Sequence, residues 1–126
     1  MVFAGPHEAR LAVPGTDAPE EPAKGICDLG PAGAVSKLGA EGTFALLDGR
    51  EHRQPAVPVT VHDSVGEGDA FAAGYLAELL AGEPPEQRLR TAALLGAFAV
   101  STTGDWEGLP RRHELDALDH HDDIVR

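Results

Sequence analysis

The sequence predicts an α/β fold, and three observations carry that prediction. Gly33–Lys37 and Thr43–Leu47 are short apolar runs bounded by glycine turns, and Val57, Val59 and Val61 alternate along Ala56–Val61, the period of a strand. Phe71, Tyr75 and Leu79 recur at i, i+4 and i+8, with Leu76 and Leu80 beside them, which is the apolar stripe of a helix packed on a core and closed by Gly82. Between the alternating stretch and that helix lies a turn carrying Gly66 and Gly68, with carboxylates at Asp63, Glu67 and Asp69.

Length and composition bound the possibilities. A chain of 126 residues makes at most one domain, with a modest core. Hydrophobic content of 42% and charged content of 25% fit a globular protein. A net charge of −11 argues against nucleic acid or an anionic membrane as a partner, although the local field at a site still decides whether an anionic nucleotide binds. The single cysteine, Cys27, excludes an internal disulfide and fits a reducing, cytoplasmic location. No apolar run reaches the ~18 residues of a membrane span, and Met1–Pro6 lacks the basic start of a signal peptide.

Taken in order, Met1–Ala4 reads as a short buried strand and Gly5–Leu11 as the opening of a helix, with Pro6 near its first position. Ala12–Glu21 holds Pro14, Gly15, Pro19 and several acids and is a loop. Glu21–Leu29 makes a short helix in which Cys27 is a small core residue rather than a nucleophile, since no histidine stands in a motif relation to it. The two strands Gly33–Lys37 and Thr43–Leu47 are joined by Leu38–Gly42. Asp48-Gly49 turns the chain into a further run, Glu51–Val61, where Pro55 and Pro58 impose an edge position or a bend. After the stripe-bearing helix, Glu83–Glu86 connects to a second long helix, Gln87–Thr102, with Leu89, Ala93, Gly96 and Val100 on one face. Asp105–Pro110 is a loop packed through Trp106, and Arg111–Leu118 is a last helix. Asp119–Asp123 mixes histidines with acids, but consecutive residues near a terminus favour solvation over metal binding.

The turn at Gly66–Asp69 has a specific physics. The first N–H groups of a helix lack intrahelical partners and carry the positive end of its dipole. Glycines let that backbone approach an anion closely, which suits a phosphate. Asp69 admits two readings. It either caps the helix, or it is a base that accepts a hydroxyl proton while the amides hold the charge of a transferred phosphoryl group.

The segment Asp63-Ser64-Val65-Gly66-Glu67-Gly68-Asp69-Ala70-Phe71-Ala72-Ala73-Gly74 resembles the D-T-x-G-A-G-D-x-F-x-x-G signature of the ribokinase-like (PfkB) sugar kinases, with Ser64 for Thr and Glu67 for Ala. Ala34–Gly42 resembles that family's V-V-K-x-G-x-x-G strand and turn, and Val100–Pro110 resembles the end of its penultimate helix and the following loop. The Gly-Asp-x-x-Gly-Leu-Pro form at Gly104–Pro110 is similar to that of the 2-keto-3-deoxygluconate kinase branch. The resemblance runs from Val2 to Leu118.

The resemblance implies the C-terminal portion of a ribokinase-like three-layer α/β/α fold, lacking the N-terminal half and lid, so that residues 1–126 form a single partial kinase domain with the ATP-binding part. It implies ATP-dependent phosphorylation of a hydroxyl on a small sugar or sugar acid, 2-keto-3-deoxygluconate foremost. Asp69 is then the general base, and the amides of Gly66, Glu67 and Gly68 form the anion hole. Glu8 matches the Glu of the family's N-x-x-E and lies near Mg²⁺, with Gly5 in place of the Asn. Asp63, helped by the carbonyls of Ser64 and Val65, would hold a monovalent cation such as K⁺. Gly39 and Gly42 would either expose amides to ATP or simply close a hairpin, Lys37 reads either as a phosphate partner or as a solvated side chain, and Ala97 would either line the adenine or pack in the core. A homo-oligomer is compatible with this picture. Two rivals stay open: a non-catalytic nucleotide-binding remnant, and an interaction domain that pairs through an exposed sheet edge. The isolated chain is expected to be inactive, because most sugar contacts belong to the missing half.

Overall fold

The computed structural model describes residues 1–15, 18 and 20–116, so the Asp119–Asp123 cluster lies outside the described residues. The chain divides into two compact units, Met1–Val57 and Pro58–Arg126.

The first unit contains β1 (Val2–Ala4), α1 (Pro6–Ala12), α2 (Glu21–Asp28), β2 (Gly33–Lys37), a 3₁₀ turn at Gly39–Glu41, β3 (Thr43–Leu47) and β4 (Arg50–Gln54). The strands form a four-stranded sheet in the order β1-β2-β3-β4. β1 runs parallel to β2, and the two later pairings are antiparallel. Side chains alternate across a strand, so the register Ala34↔Leu46 and Ser36↔Phe44 puts these residues on one face. There Ala4, Ala9, Ala23, Ile26, Ala34 and Phe44 form a buried cluster, with Val2, Val13, Cys27, Leu38 and Leu46 packed against it. Small residues bring the helices close: a Cβ on Gly25 of α2 would lie 2.8 Å from Val13 Cγ2. Between β3 and β4, Asp48 and Gly49 both take positive φ (49° and 78°), the backbone of a two-residue hairpin whose twist matches its strands.

One expected strand is absent. β4 stops at Gln54, and residues 55–61 belong to no strand, with Val59 42% and Val61 65% exposed. Pro55 and Pro58 have no N–H to give a ladder, and among the described residues no strand lies alongside. The alternation of Val57, Val59 and Val61 therefore reflects no buried sheet face.

The second unit is built on α3 (Glu67–Leu80) and α4 (Pro85–Ser101), which pack on each other. At their contact a Cβ on Gly74 would lie 2.8 Å from Leu95 Cδ1 and 3.0 Å from the Thr91 carbonyl oxygen. The buried side of α3 is Ala70, Phe71, Gly74, Tyr75 and Glu78, which corrects the apolar stripe read from the sequence. Leu79 is 37%, Leu76 43% and Leu80 87% exposed. The stripe veers to Glu78 because a polar group can be buried once it is paired; its carboxylate accepts hydrogen bonds from Thr91 and Arg112. In α4 the buried residues include Leu89, Ala92, Gly96, Ala97 and Ala99, leaving Ala93 and Val100 half-buried. Trp106 is 71% exposed and does not pack its loop. Among the described residues no helix is long and apolar enough to cross a membrane.

Candidate active site

The chain approaches α3 along a short segment fixed from behind. The amides of His62 and Asp63 both donate to the Val100 carbonyl of α4, at 2.7 and 3.2 Å. Asp63 Oδ1 accepts from the Val65 amide at 3.0 Å, which bends the chain into a side-chain-closed turn. Gly66 is the N-cap of α3, with φ 81° and ψ −6°, a left-handed conformation that glycine adopts without penalty. A Cβ there would collide with the Asp105 carboxylate and lie 2.8 Å from the Asp105 carbonyl oxygen. Both backbone angle and space thus demand glycine.

In the first turn of α3, the Ala70 amide donates to the Gly66 carbonyl at 2.9 Å, and the Glu67 amide makes a long 3.5 Å contact with the Ser64 carbonyl. The amides of Gly68 and Asp69 make no hydrogen bond among the described residues. They point with the positive end of the dipole toward whatever faces the turn. The two first-turn carboxylates differ in setting. Glu67 is half-buried, and its Oε1 lies 3.3 Å from where a Cβ on Gly96 would stand, so it folds back on α4. Asp69 is exposed beside the two amides.

Sequence reasoning missed how the loop after α4 is built. Glu107 Oε2 accepts from the amides of Asp105 (2.9 Å) and Trp106 (3.0 Å). Hydrogen bonds from its own amide, then those of Asp105 and Trp106, hold this carboxyl below the usual range, because they stabilise its charged form. Gly104, at φ 110°, leaves room for the carboxylate, and a Cβ on Gly108 would lie 2.7 Å from Thr102 Cβ. The loop folds around its own acid and sets Asp105 on Gly66. The Gly-Asp-x-x-Gly spacing signalled a defined loop, but no local pattern signals a contact between residues so distant in sequence.

The remaining candidates lie in the first unit, except Ala97, which is buried on α4. Glu8 is exposed, and its Oε2 accepts from the Gly5 amide at 2.7 Å, closing the start of α1. Lys37 is half-buried and ends β2 opposite Thr43. Gly39 is exposed at φ 59°, with nothing near its Cα side. Gly42 departs from the expectation of an exposed amide. It is buried, its N–H donates to the Gly39 carbonyl at 3.0 Å, and a Cβ would strike the Gln54 carbonyl and lie 3.0 Å from the Ala56 amide nitrogen. Its role in the structure is to let the turn close against β4. The fold therefore brings Asp63, Gly66, Glu67, Gly68 and Asp69 into one turn, with Glu8, Lys37, Gly39 and Gly42 in the other unit. Among the described residues no three His, Cys, Asp or Glu side chains cluster as metal ligands.

The chain is similar in sequence and fold to known proteins. The chain is 36% identical over 118 residues to the 2-dehydro-3-deoxygluconokinase of Thermoproteus tenax, covering 94% of this chain and 36% of that protein. It is 32% identical over 114 residues to the 2-dehydro-3-deoxygluconokinase of Bacillus subtilis, covering 90% of this chain and 35% of that one. The chain thus spans about a third of the length of these relatives. Among solved structures, the Arabidopsis thaliana ribokinase complexed with ribose and ATP superposes with a TM-score of 0.83 at 25% identity, over 93% of this chain and 40% of that one. Residues 2–112 match the family described as pfkB family carbohydrate kinase. With its ribokinase-like fold, the chain belongs to the pfkB family of carbohydrate kinases.

Proposed function

We propose that this chain carries the phosphoryl-transfer turn of an ATP-dependent kinase whose acceptor is a hydroxyl of a sugar acid, 2-keto-3-deoxygluconate. The observation that carries the reading is the exposed Asp69 carboxylate beside two hydrogen-bond-free amides at the glycine-lined start of α3. Membership of the pfkB family supports the kinase class, and the two relatives named 2-dehydro-3-deoxygluconokinase support the acceptor. The ribokinase complexed with ribose and ATP supports ATP as donor.

Mg-ATP, when bound, supplies the phosphoryl group and neutralises part of its charge. The free amides of Gly68 and Asp69, together with those of Gly66 and Glu67, would then hold the negative charge that builds on that group, and the α3 dipole adds to them. Asp69 accepts the proton of the attacking hydroxyl. Glu67, folded on Gly96, is kept from the anion that it would repel. Within the second unit, Ala97 would lie toward the nucleoside and Asp63 would hold a monovalent cation such as K⁺, while the roles expected of Glu8, Lys37 and Gly39 belong to the first unit. Residues 1–126 are, in this reading, part of one kinase domain acting in the cytoplasm.

In the full-length protein, Asp69→Ala should lower kcat by ~10²–10⁴-fold, the range of general-base catalysis, with little change in the dissociation constant for Mg-ATP. A coupled assay with ATP and 2-keto-3-deoxygluconate, beside a panel of sugars, measures the first, and calorimetry with Mg-ATP the second. Turnover near that of the unmodified protein removes Asp69 from the mechanism. Nucleotide binding without transfer to any sugar favours a non-catalytic nucleotide-binding module.

A further inference from the structure

Glu78 is the one buried carboxylate among the described residues, at 3% exposure. It sits in the α3–α4 contact, accepting from Thr91 Oγ1 at 3.1 Å and from Arg112 Nη1 at 2.9 Å. Arg112 opens a helical stretch at residues 112–116, directly after the loop of residues 102–111. Three segments distant in sequence therefore meet on one carboxylate. The Glu78 side chain is 4% exposed and that of Arg112 58%, so the pair joins a buried carboxylate to a guanidinium open to solvent, and so screened a pair is a weak source of stability. What it supplies here is a fixed position for Arg112.

That position governs the loop. The near end is held where Thr102 Oγ1 donates to the Phe98 carbonyl at 3.2 Å. The middle is shaped by Glu107, and Asp105 rests against Gly66. The far end is Arg112. At Gly66 the space beside the left-handed backbone is taken by Asp105.

We propose that Glu78 and Arg112 are positioning residues. Their ion pair pins the far end of the 102–111 loop, which keeps Asp105 seated on Gly66 and the first-turn amides of α3 aimed at the transferring phosphoryl group. The last clause rests on the reading of that turn as the phosphoryl cradle; the tether itself does not.

The test uses the full-length protein carrying both Glu78→Leu and Arg112→Met, which removes both charges together so that neither is left unpaired. Amide hydrogen exchange over residues 102–111, measured without nucleotide, should quicken by about 10-fold while the melting temperature holds. Because a small misplacement of a positioning group is costly, kcat should fall by about 10-fold with the KM for the sugar unchanged. Arg112→Lys retains a cation and should recover most of both effects. Unchanged exchange over 102–111 in the double variant overturns the tether, and quickened exchange with unchanged kcat overturns its role at the turn. If Arg112→Ala alone fails to fold, the double variant still decides. Should the unmodified protein show no phosphoryl transfer, the kinase reading fails while the exchange measurement continues to judge the tether.

Discussion

Gly66 and Gly39 are both left-handed glycines, at φ 81° and 59°, yet they are under different constraints. At Gly39 a Cβ meets open space, so Gly39→Ala should cost only the αL penalty of about 1–2 kcal/mol. At Gly66 the same methyl also displaces Asp105, so Gly66→Ala should cost more than Gly39→Ala and disturb the turn beside Asp69. Denaturant midpoints of the two variants, measured side by side, check the ordering; equal losses would mean that Asp105 yields freely. The glycine pattern was legible in the sequence because it encodes local backbone geometry. Asp105 was not, because its importance lies in a contact made only after folding. Ser36 belongs to the same class: its buried hydroxyl lacks a hydrogen-bond partner among the described residues, on a strand whose sequence reads as ordinary.

Among the elements, the loop of residues 102–111 depends most on one ionisation. Glu107 organises it by accepting two backbone hydrogen bonds as a carboxylate, and its folded pKa lies below the ordinary 4.5. A depressed carboxyl adds stability that is present above its unfolded pKa and is lost as pH falls through the folded one. The protection of the loop amides, meaning their exchange relative to each amide's intrinsic rate at that pH, should therefore stay level from neutral pH down to the mid-4 range and fall below it. Glu107→Gln should exchange faster at neutral pH and lose that acid limb. The helices illustrate what apolar periodicity can and cannot reveal. The extents of α2, β2 and β3 follow from local pattern and turn chemistry. The buried face of α3 does not, because Glu78 is inward only by virtue of Thr91 and Arg112. Nor does the run at residues 55–61 become a strand, since its two prolines outweigh its alternating valines.

At the scale of the molecule, the α/β class and the family were readable because the signature at Asp63–Gly74 is dense and sits where a helix must begin. The division into two compact units was not, since no composition shift marks Val57–Pro58. The sheet of the first unit also mixes two kinds of pairing that differ in how far apart their partners lie along the chain. β2, β3 and β4 join through short turns, whereas β1 reaches β2 only across α1 and α2. Closing short loops costs little chain entropy, so the meander should assemble early and the parallel edge should dock last. Phe44→Leu in β3 should therefore mainly slow refolding, and Ala4→Gly in β1 should mainly hasten unfolding, a difference that stopped-flow chevrons resolve. Of the four strands, β1 is the one that waits longest for its neighbour.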